Sequence, residues 1–247
     1  MKLAVYFTPG AVPPAALANK PVLVIDLLRA TTTIVTALAN GARAVLPAAT
    51  PSDALQLAQN LERDDVLLAG ERQTLPIPGF ALGNSPLEML PERVAGKTLV
   101  MATTNGTPAL LAAEAGRPVL LASAVNFSAA ADAARRALEE TGELVIFCAG
   151  RQGLFALEDA YAAGRFVQVV LPPGSRRGAE YNDAAIAARD LARRYGARWK
   201  TPVSASAAAR DLRSKGFRAD VLAATEADRF DVVPRFERRH IVANGRG

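Results

Sequence analysis

The chain has 247 residues, half of them hydrophobic and 21% charged, with a net charge of +5. That size and balance exclude a disordered chain and suit one large α/β domain or two small ones sharing a core. A single cysteine and a single histidine leave no intrachain disulfide framework, argue against a Cys/His zinc site or a histidine-based triad, and point to a reducing, cytoplasmic compartment.

The first ten residues, MKLAVYFTPG, read as a strand rather than a leader. KPVLVID then leads into TTTIVTALANG, ARAVLPA into PSDALQLAQNLER, and DDVLLAG into a non-periodic stretch. KTLVMAT precedes TPALLAAEAG, RPVLLAS precedes FSAAADAARRALEET, and ELVIFCA precedes FALEDAYAAGRFV. Short apolar strands without alternation, separated by helices of about three turns, predict an α/β/α protein with a mostly parallel or mixed sheet. LPPGSRRGAE reads as a surface loop, and the C-terminal ASAAARDLRSKGFRADVLAATEADRFDVVPRF as helix, strand and a short strand ending at Pro234. VIDLLRATTTIVTALANGA and VIFCAGRQGLFALEDAYAAGR echo each other weakly. The echo fits two similarly built halves, 1–140 and 141–247, around one cleft, or two ordinary strand–helix units within a single domain of 1–247. No apolar run approaches the ~20 residues needed to cross a bilayer. The scattered basic residues lack the interleaved aromatics of a nucleic-acid surface, so neither partner is expected.

In such sheets ligands bind beyond the carboxyl ends of the strands. Asp26, Arg29, Thr31, Thr32 and Thr33 follow the second strand; Glu71 and Arg72 follow VLLAG. Thr103, Thr104, Asn105, Gly106 and Thr107 follow LVMAT, and Arg151 with Glu158 and Asp159 follow VIFCAG. Each group alone has an ordinary explanation: threonine and asparagine cap helices, Asp26 and Arg29 pair locally, GNSP is loop chemistry, and LEDAY is a solvated helix face. Together they supply what a phosphate or sulfonate requires, arginine forks and donors at helix N-termini. The acids among them would repel that anion unless a hard cation such as Mg2+ sat between, which points to phosphoryl chemistry. There is no P-loop GxxxxGK[ST] and no Rossmann glycine fingerprint. Cys148 lacks a Cys-x5-Arg loop and is expected to be a buried thiol.

Four of these segments, VIDLLRATTTIVTALANGA, AGERQTLPIPGFALGNSPLE, TTNGTPAL and CAGRQGLFALEDAYAAG, resemble the motifs of the 2-phosphosulfolactate phosphatase family, in the family's order. DVLAATEADRFDVVP is similar to the family's ending, so the resemblance spans nearly the whole chain. It implies an α/β/α fold with two similar halves. It also implies a magnesium-dependent phosphatase converting (R)-2-phospho-3-sulfolactate, or a related phosphorylated hydroxy acid, to sulfolactate and inorganic phosphate. In methanogens that step belongs to coenzyme M biosynthesis. DLLRATTT carries the family's motif at Asp26 and Arg29, GER at Glu71 and Arg72, TTNGT at Thr104 and Asn105, and LED at Glu158 and Asp159. Ala81 departs from the acidic or polar residue more usual there.

On the chemistry of the side chains, Asp26, Glu71, Glu158 and Asp159 are the expected metal ligands, with Asp26 either a ligand or a nucleophile. Asp26, Arg29, Arg72 and Asn105 form the expected catalytic set. Thr31, Thr32, Thr103, Thr104, Gly106 and Arg151 are the expected substrate contacts, Arg151 taking a carboxylate or sulfonate. The competing readings are a non-catalytic anion-binding protein and a phosphotransferase on a similar substrate. The Ala-rich helices suit close packing within the fold or at a homodimer interface.

Overall fold

The computed structural model describes residues 1–61, 65–171 and 178–243; the expected surface loop LPPGSRRGAE falls largely outside them. Along the chain, β1 (Lys2–Tyr6) and β2 (Val22–Ile25) precede α1 (Ala30–Ala39), followed by β3 (Ala44–Ala48), α2 (Pro51–Gln59), β4 (Val66–Arg72) and β5 (Leu75–Pro76). Next come α3 (Pro91–Val94), β6 (Thr98–Ala102), α4 (Gly106–Ala112), β7 (Val119–Ala122), α5 (Phe127–Thr141), β8 (Glu143–Cys148) and α6 (Leu157–Val169). The last part holds β9 (Glu180–Tyr181), α7 (Asp183–Tyr195), α8 (Lys200–Ala205), α9 (Ala207–Ser214), α10 (Arg218–Ala223), β10 (Arg235–Glu237) and β11 (His240–Val242).

The strands lie in the order β5-β4-β6-β3-β11-β10-β7-β2-β8-β1-β9. Two parallel blocks, β4-β6-β3 and β7-β2-β8-β1-β9, are joined by the antiparallel hairpin β10–β11. Phe236 of the hairpin pairs with Val119 on one side, and Ile241 pairs with Val45 on the other. Strand pleating sends successive residues to opposite faces. Val22 and Val24 of β2 therefore pack with Ile34 and Ala37 of α1, while Leu23 and Ile25 pack with Phe127 and Ala130 of α5 and Phe166 of α6. All four β2 side chains are buried, each contributing roughly 1.5–3 kcal/mol. The result is the three-layer α/β/α arrangement that the strand composition predicts. Within the layer beyond β8, α6 and α7 approach so closely that a methyl group at Gly164 would run into the Ala188 carbonyl.

Two expectations for the C-terminal part are corrected. ADVLAAT forms helix α10 rather than a strand, because Asp220, Val221, Ala223 and Ala224 turn to the protein while Leu222 turns out, a helical spacing. The short strand β10 starts after Pro234 rather than ending there. Proline cannot donate to a ladder, and the Pro234 carbonyl instead accepts the Leu121 N–H (2.9 Å). Among the described residues no helix is long and apolar enough to cross a membrane.

Candidate active site

Strands β2, β4, β6 and β8 end on one rim, and residues beyond them wall a small inner cavity of about 40 Å3. At the end of β2 the chain passes almost at once into α1. The Asp26 Oδ1 atom accepts the Ala30 N–H (3.1 Å), and the Thr31 hydroxyl donates to the Asp26 carbonyl (2.8 Å). Thr32 donates to the Leu27 carbonyl (2.8 Å) and meets the Ser123 hydroxyl at 2.6 Å, while Thr33 donates to the Asn84 carbonyl (3.0 Å). Thr31 and Thr32 therefore satisfy carbonyls of a tight strand-to-helix turn and fix Asp26 at its base, while Thr33 ties the turn to the loop at Asn84.

Three further acids converge on the same cavity. Glu71 is the penultimate residue of β4; its Oε1 accepts the Thr104 N–H (2.6 Å), and its Oε2 accepts the Thr74 N–H (2.7 Å) and the Thr104 hydroxyl (3.1 Å). Glu158 and Asp159 occupy the first turn of α6, where the helix dipole favours negative charge. Asp159 bridges two loops, its Oδ1 accepting the Leu27 N–H (2.9 Å) and its Oδ2 the Gly150 N–H (3.1 Å). All four carboxylates are nearly buried, with Asp26 and Glu71 6% exposed, Glu158 3% and Asp159 2%.

Burial among like charges raises the proton affinity of three of them, Asp26, Glu158 and Asp159. Asp26 is pushed up to about 7, first by desolvation and then by the Glu71 and Glu158 charges, against the lowering effect of the Ala30 N–H and Arg29. Asp159 rises well above the ordinary range through desolvation and the charges of Glu158 and Asp26. Glu158 is raised by desolvation despite hydrogen bonding to its own backbone and Ser206 and the charge of Arg151. Cys148, fully buried behind these acids as the sequence predicts, has its thiol pKa pushed up by desolvation and then by Asp159.

The nearby arginines offset these charges only in part, because each is paired with another acid. Arg29 is buried with Asp220 (2.7 Å), donates to the Thr74 carbonyl (2.8 Å) and stacks on Phe217 with its guanidinium carbon 4.6 Å from the ring centre. Arg151 pairs with Asp211 (3.1 Å), which also accepts from Thr74 Oγ1 (2.7 Å) and Lys215 Nζ (3.2 Å). Partial desolvation raises the Asp211 pKa, but these bonds and charges outweigh it and leave it lowered. Lys215 also walls an outer cavity of about 240 Å3 that shares Glu71, Thr74, Asn105, Arg151 and Asp211 with the inner one.

The structure thus brings together Asp26, Arg29, Glu71, Asn105, Arg151, Glu158 and Asp159. Thr104 lies at the outer cavity, and the Asn105 side chain accepts the Gln152 N–H (2.8 Å). Thr31 and Thr32 are buried with their hydroxyls engaged inside the turn, and Thr103 is bonded to Thr107, so these three do not wall either cavity. Arg72 points away and donates to the Ala49 carbonyl (3.0 Å). Adjacent residues of a strand face opposite sides, so a GER segment that buries Glu71 in the site cannot also deliver Arg72. Sequence reading missed Asp211, Lys215, Asp220 and Asn84. GNSP, dismissed as loop chemistry, places Asn84 in the wall.

Gly106 presses directly against this centre. A methyl group there would overlap Ala30 Cβ and come within 2.6 Å of Asp26 Oδ2. Gly106→Ala is expected to destabilise the protein by ~1–3 kcal/mol through overpacking, outweighing the ~1 kcal/mol that alanine gains over glycine in a helix. Denaturant unfolding measures it, and an unchanged midpoint would contradict the close packing.

Among the described residues no three His, Cys, Asp or Glu side chains form a ready-made metal cage. Magnesium needs only one or two carboxylates and keeps its waters. Both oxygens of Glu71 and Asp159 already accept N–H bonds, whereas Asp26 engages Oδ1 and leaves Oδ2 against Gly106. Asp26 therefore suits a hard divalent cation better than Glu71 or Asp159, and Glu158, raised by desolvation, lines the same cavity.

The model of the 2-phosphosulpholactate phosphatase family matches residues 6–239. A protein of Caldanaerobacter subterraneus subsp. tengcongensis is 37% identical over 237 residues, covering 96% of each chain. One from Symbiobacterium thermophilum is 39% identical over 232 residues, 94% of this chain and 97% of the relative. A Deinococcus radiodurans protein reaches 49% identity over 153 residues, 62% of each. All three bear the name "probable 2-phosphosulfolactate phosphatase".

Proposed function

Because the chain belongs to the 2-phosphosulpholactate phosphatase family, we propose that it hydrolyses the phosphate monoester of 2-phosphosulfolactate or a related small phosphorylated hydroxy acid, with magnesium. The observation that carries this reading is the group of four buried carboxylates beside two arginines whose charges are paired elsewhere, to Asp220 and Asp211. A pure anion binder gains nothing from such acids, which would repel its ligand. A cation held by them turns the same cavity into a phosphoryl site.

Asp26 and Glu158 would hold the ion. When bound, it would neutralise the phosphoryl oxygens and supply an activated water. Glu71 orients Thr104, and Asp159 ties the Leu27 and Gly150 loops together, so both act by fixing the walls. The inner cavity, about 40 Å3, is too small for the whole substrate, so only its phosphoryl end would approach the carboxylates there. Its carboxylate and sulfonate ends fit the outer cavity of about 240 Å3, beside Arg151 and Lys215. The buried, unbridged Cys148 is compatible with the reducing cytoplasm, which we assign as the compartment.

Phosphate release from a panel of phosphorylated carboxylic acids, phosphosulfolactate included, with and without Mg2+, tests the proposal. Magnesium-dependent release is expected. Tight binding of a phospho-acid with no release from any member would overturn the phosphatase reading in favour of a binding protein.

The raised carboxylates make a second expected result. Asp26 moves from 3.8 to about 7 on folding, so between those values the folded state holds a proton that the unfolded state lacks. Metal-free stability should therefore fall as the pH rises through that window. Mg2+ competes with the same proton, so it should raise the melting temperature clearly at pH 8 and little at pH 5.5. Equal shifts at the two pH values would rule out these acids as the metal site.

A further inference from the structure

Asn84 is a polar residue of the inner cavity wall whose side-chain oxygen finds no partner among the described residues. It is 4% exposed. Burying an amide without a partner is costly, and native proteins rarely leave one without a reason. The surrounding loop is otherwise held on every side. The Asn84 carbonyl accepts from Thr33 (3.0 Å), Gly83 N–H donates to Glu88 Oε2 (2.7 Å), and Ser85 donates to Asp220 (2.7 Å), the same acid that binds Arg29. The backbone is clamped against the start of α1 and α10, and the amide alone is left facing the space between Asp26, Glu71 and Arg29.

We propose that Asn84 is a substrate-contacting residue whose side-chain NH2 group donates to an oxygen of the bound phosphoryl group. An unbonded amide can turn over to present either end. Phosphoryl oxygens only accept, so they select the NH2 end. A neutral donor suits this position: a further cation would pair with Glu71 or Asp26, and a further acid would repel the ligand. The inference rests on the phosphatase reading for the identity of its ligand but not for the existence of the contact.

The test uses the full chain with Mg2+, as wild type, Asn84→Ala and Asn84→Asp. The readouts are melting temperature, the Kd of inorganic phosphate by titration calorimetry, and KM and kcat for phosphosulfolactate. Because the amide makes no hydrogen bond among the described residues, Asn84→Ala is expected to melt at or near the wild-type temperature. Phosphate Kd and KM should rise by roughly tenfold to a hundredfold, the loss of a hydrogen bond to a charged group. Asn84→Asp keeps the shape, removes the donor and adds a charge, so its phosphate Kd should rise further. Unchanged phosphate Kd in either folded variant would overturn the proposal. So would a fall in melting temperature without a change in Kd, the mark of a structural amide. If wild type binds phosphate but releases none from any substrate, the phosphatase reading fails while the Kd values still judge Asn84. Absence of phosphate binding to wild type would overturn both.

Discussion

Asp26→Asn should lower kcat/KM for phosphate release at least about a hundredfold, while the protein stays folded and, above pH 7, is at least as stable as wild type. The two halves of this expectation come from one cause. Asp26 sits at the base of the β2–α1 turn, nearly buried, and its carboxyl is pushed up to about 7 by desolvation and by Glu71 and Glu158. Above that pH the folded protein must carry a charge that its surroundings oppose. Asparagine has the same shape, keeps an acceptor for the Ala30 N–H, and carries no charge. Folding is relieved of an unfavourable ionisation, whereas a cation loses the ligand least engaged by the protein. Below pH 4 the stability advantage should vanish, because Asp26 is then protonated in both states. The variant should also lose the magnesium-dependent rise in melting temperature at pH 8. Activity within tenfold of wild type would remove Asp26 from the centre of the proposed chemistry.

The alternation of strands and helices was legible because the central parallel strands are apolar on both faces, as VLVI of β2 shows. The acids were legible for a related reason: a polar residue directly beyond such a strand sits on the ligand-binding rim. Pleating, which decides between neighbours such as Glu71 and Arg72, depends on register and was not visible. Neither α7 nor α8 stood out, and α10 resembled a strand because Val221 and Leu222 fall within a segment too short to show its period. The deeper failure concerns partners. Arg29 meets Asp220 across 191 positions, and Thr74 meets Asp211 across 137. Those contacts exist only because α9 and α10 fold back over the rim, and nothing local in ARDLRSKGFRAD announces it. Asn84 was equally silent, since an unbonded amide is recognised only when its surroundings are known.

Breaking the Arg29–Asp220 pair should have the largest effect on stability of any single change at the site. Both side chains are almost inaccessible, 3% and 4% exposed, and their atoms approach to 2.7 Å. Arg29→Ala removes one partner and leaves Asp220 with Ser85 alone, while also deleting the bond to the Thr74 carbonyl and the stack on Phe217. An uncompensated buried charge of this kind costs about 3–5 kcal/mol. That is a large share of the ~5–15 kcal/mol that holds a typical protein folded. Activity lost in Arg29→Ala is therefore no proof that Arg29 touches phosphate. The double variant Arg29→Met with Asp220→Leu separates the two effects, since replacing both charges with apolar groups of similar volume is often neutral or stabilising. Denaturant unfolding should show the single variant strongly weakened and the double variant largely restored. Arg29 also lines the inner cavity, and its fork has donors beyond the two engaged by Asp220 and Thr74. Phosphate affinity should therefore remain low in the restored protein. Recovery of affinity together with stability would make Arg29 a strut for the β2–α1 turn and α10, leaving the anion to Asn84, Arg151 and the cation. A cost below ~1 kcal/mol for Arg29→Ala would mean that water reaches Asp220 and that the pair does not hold α10 against the site.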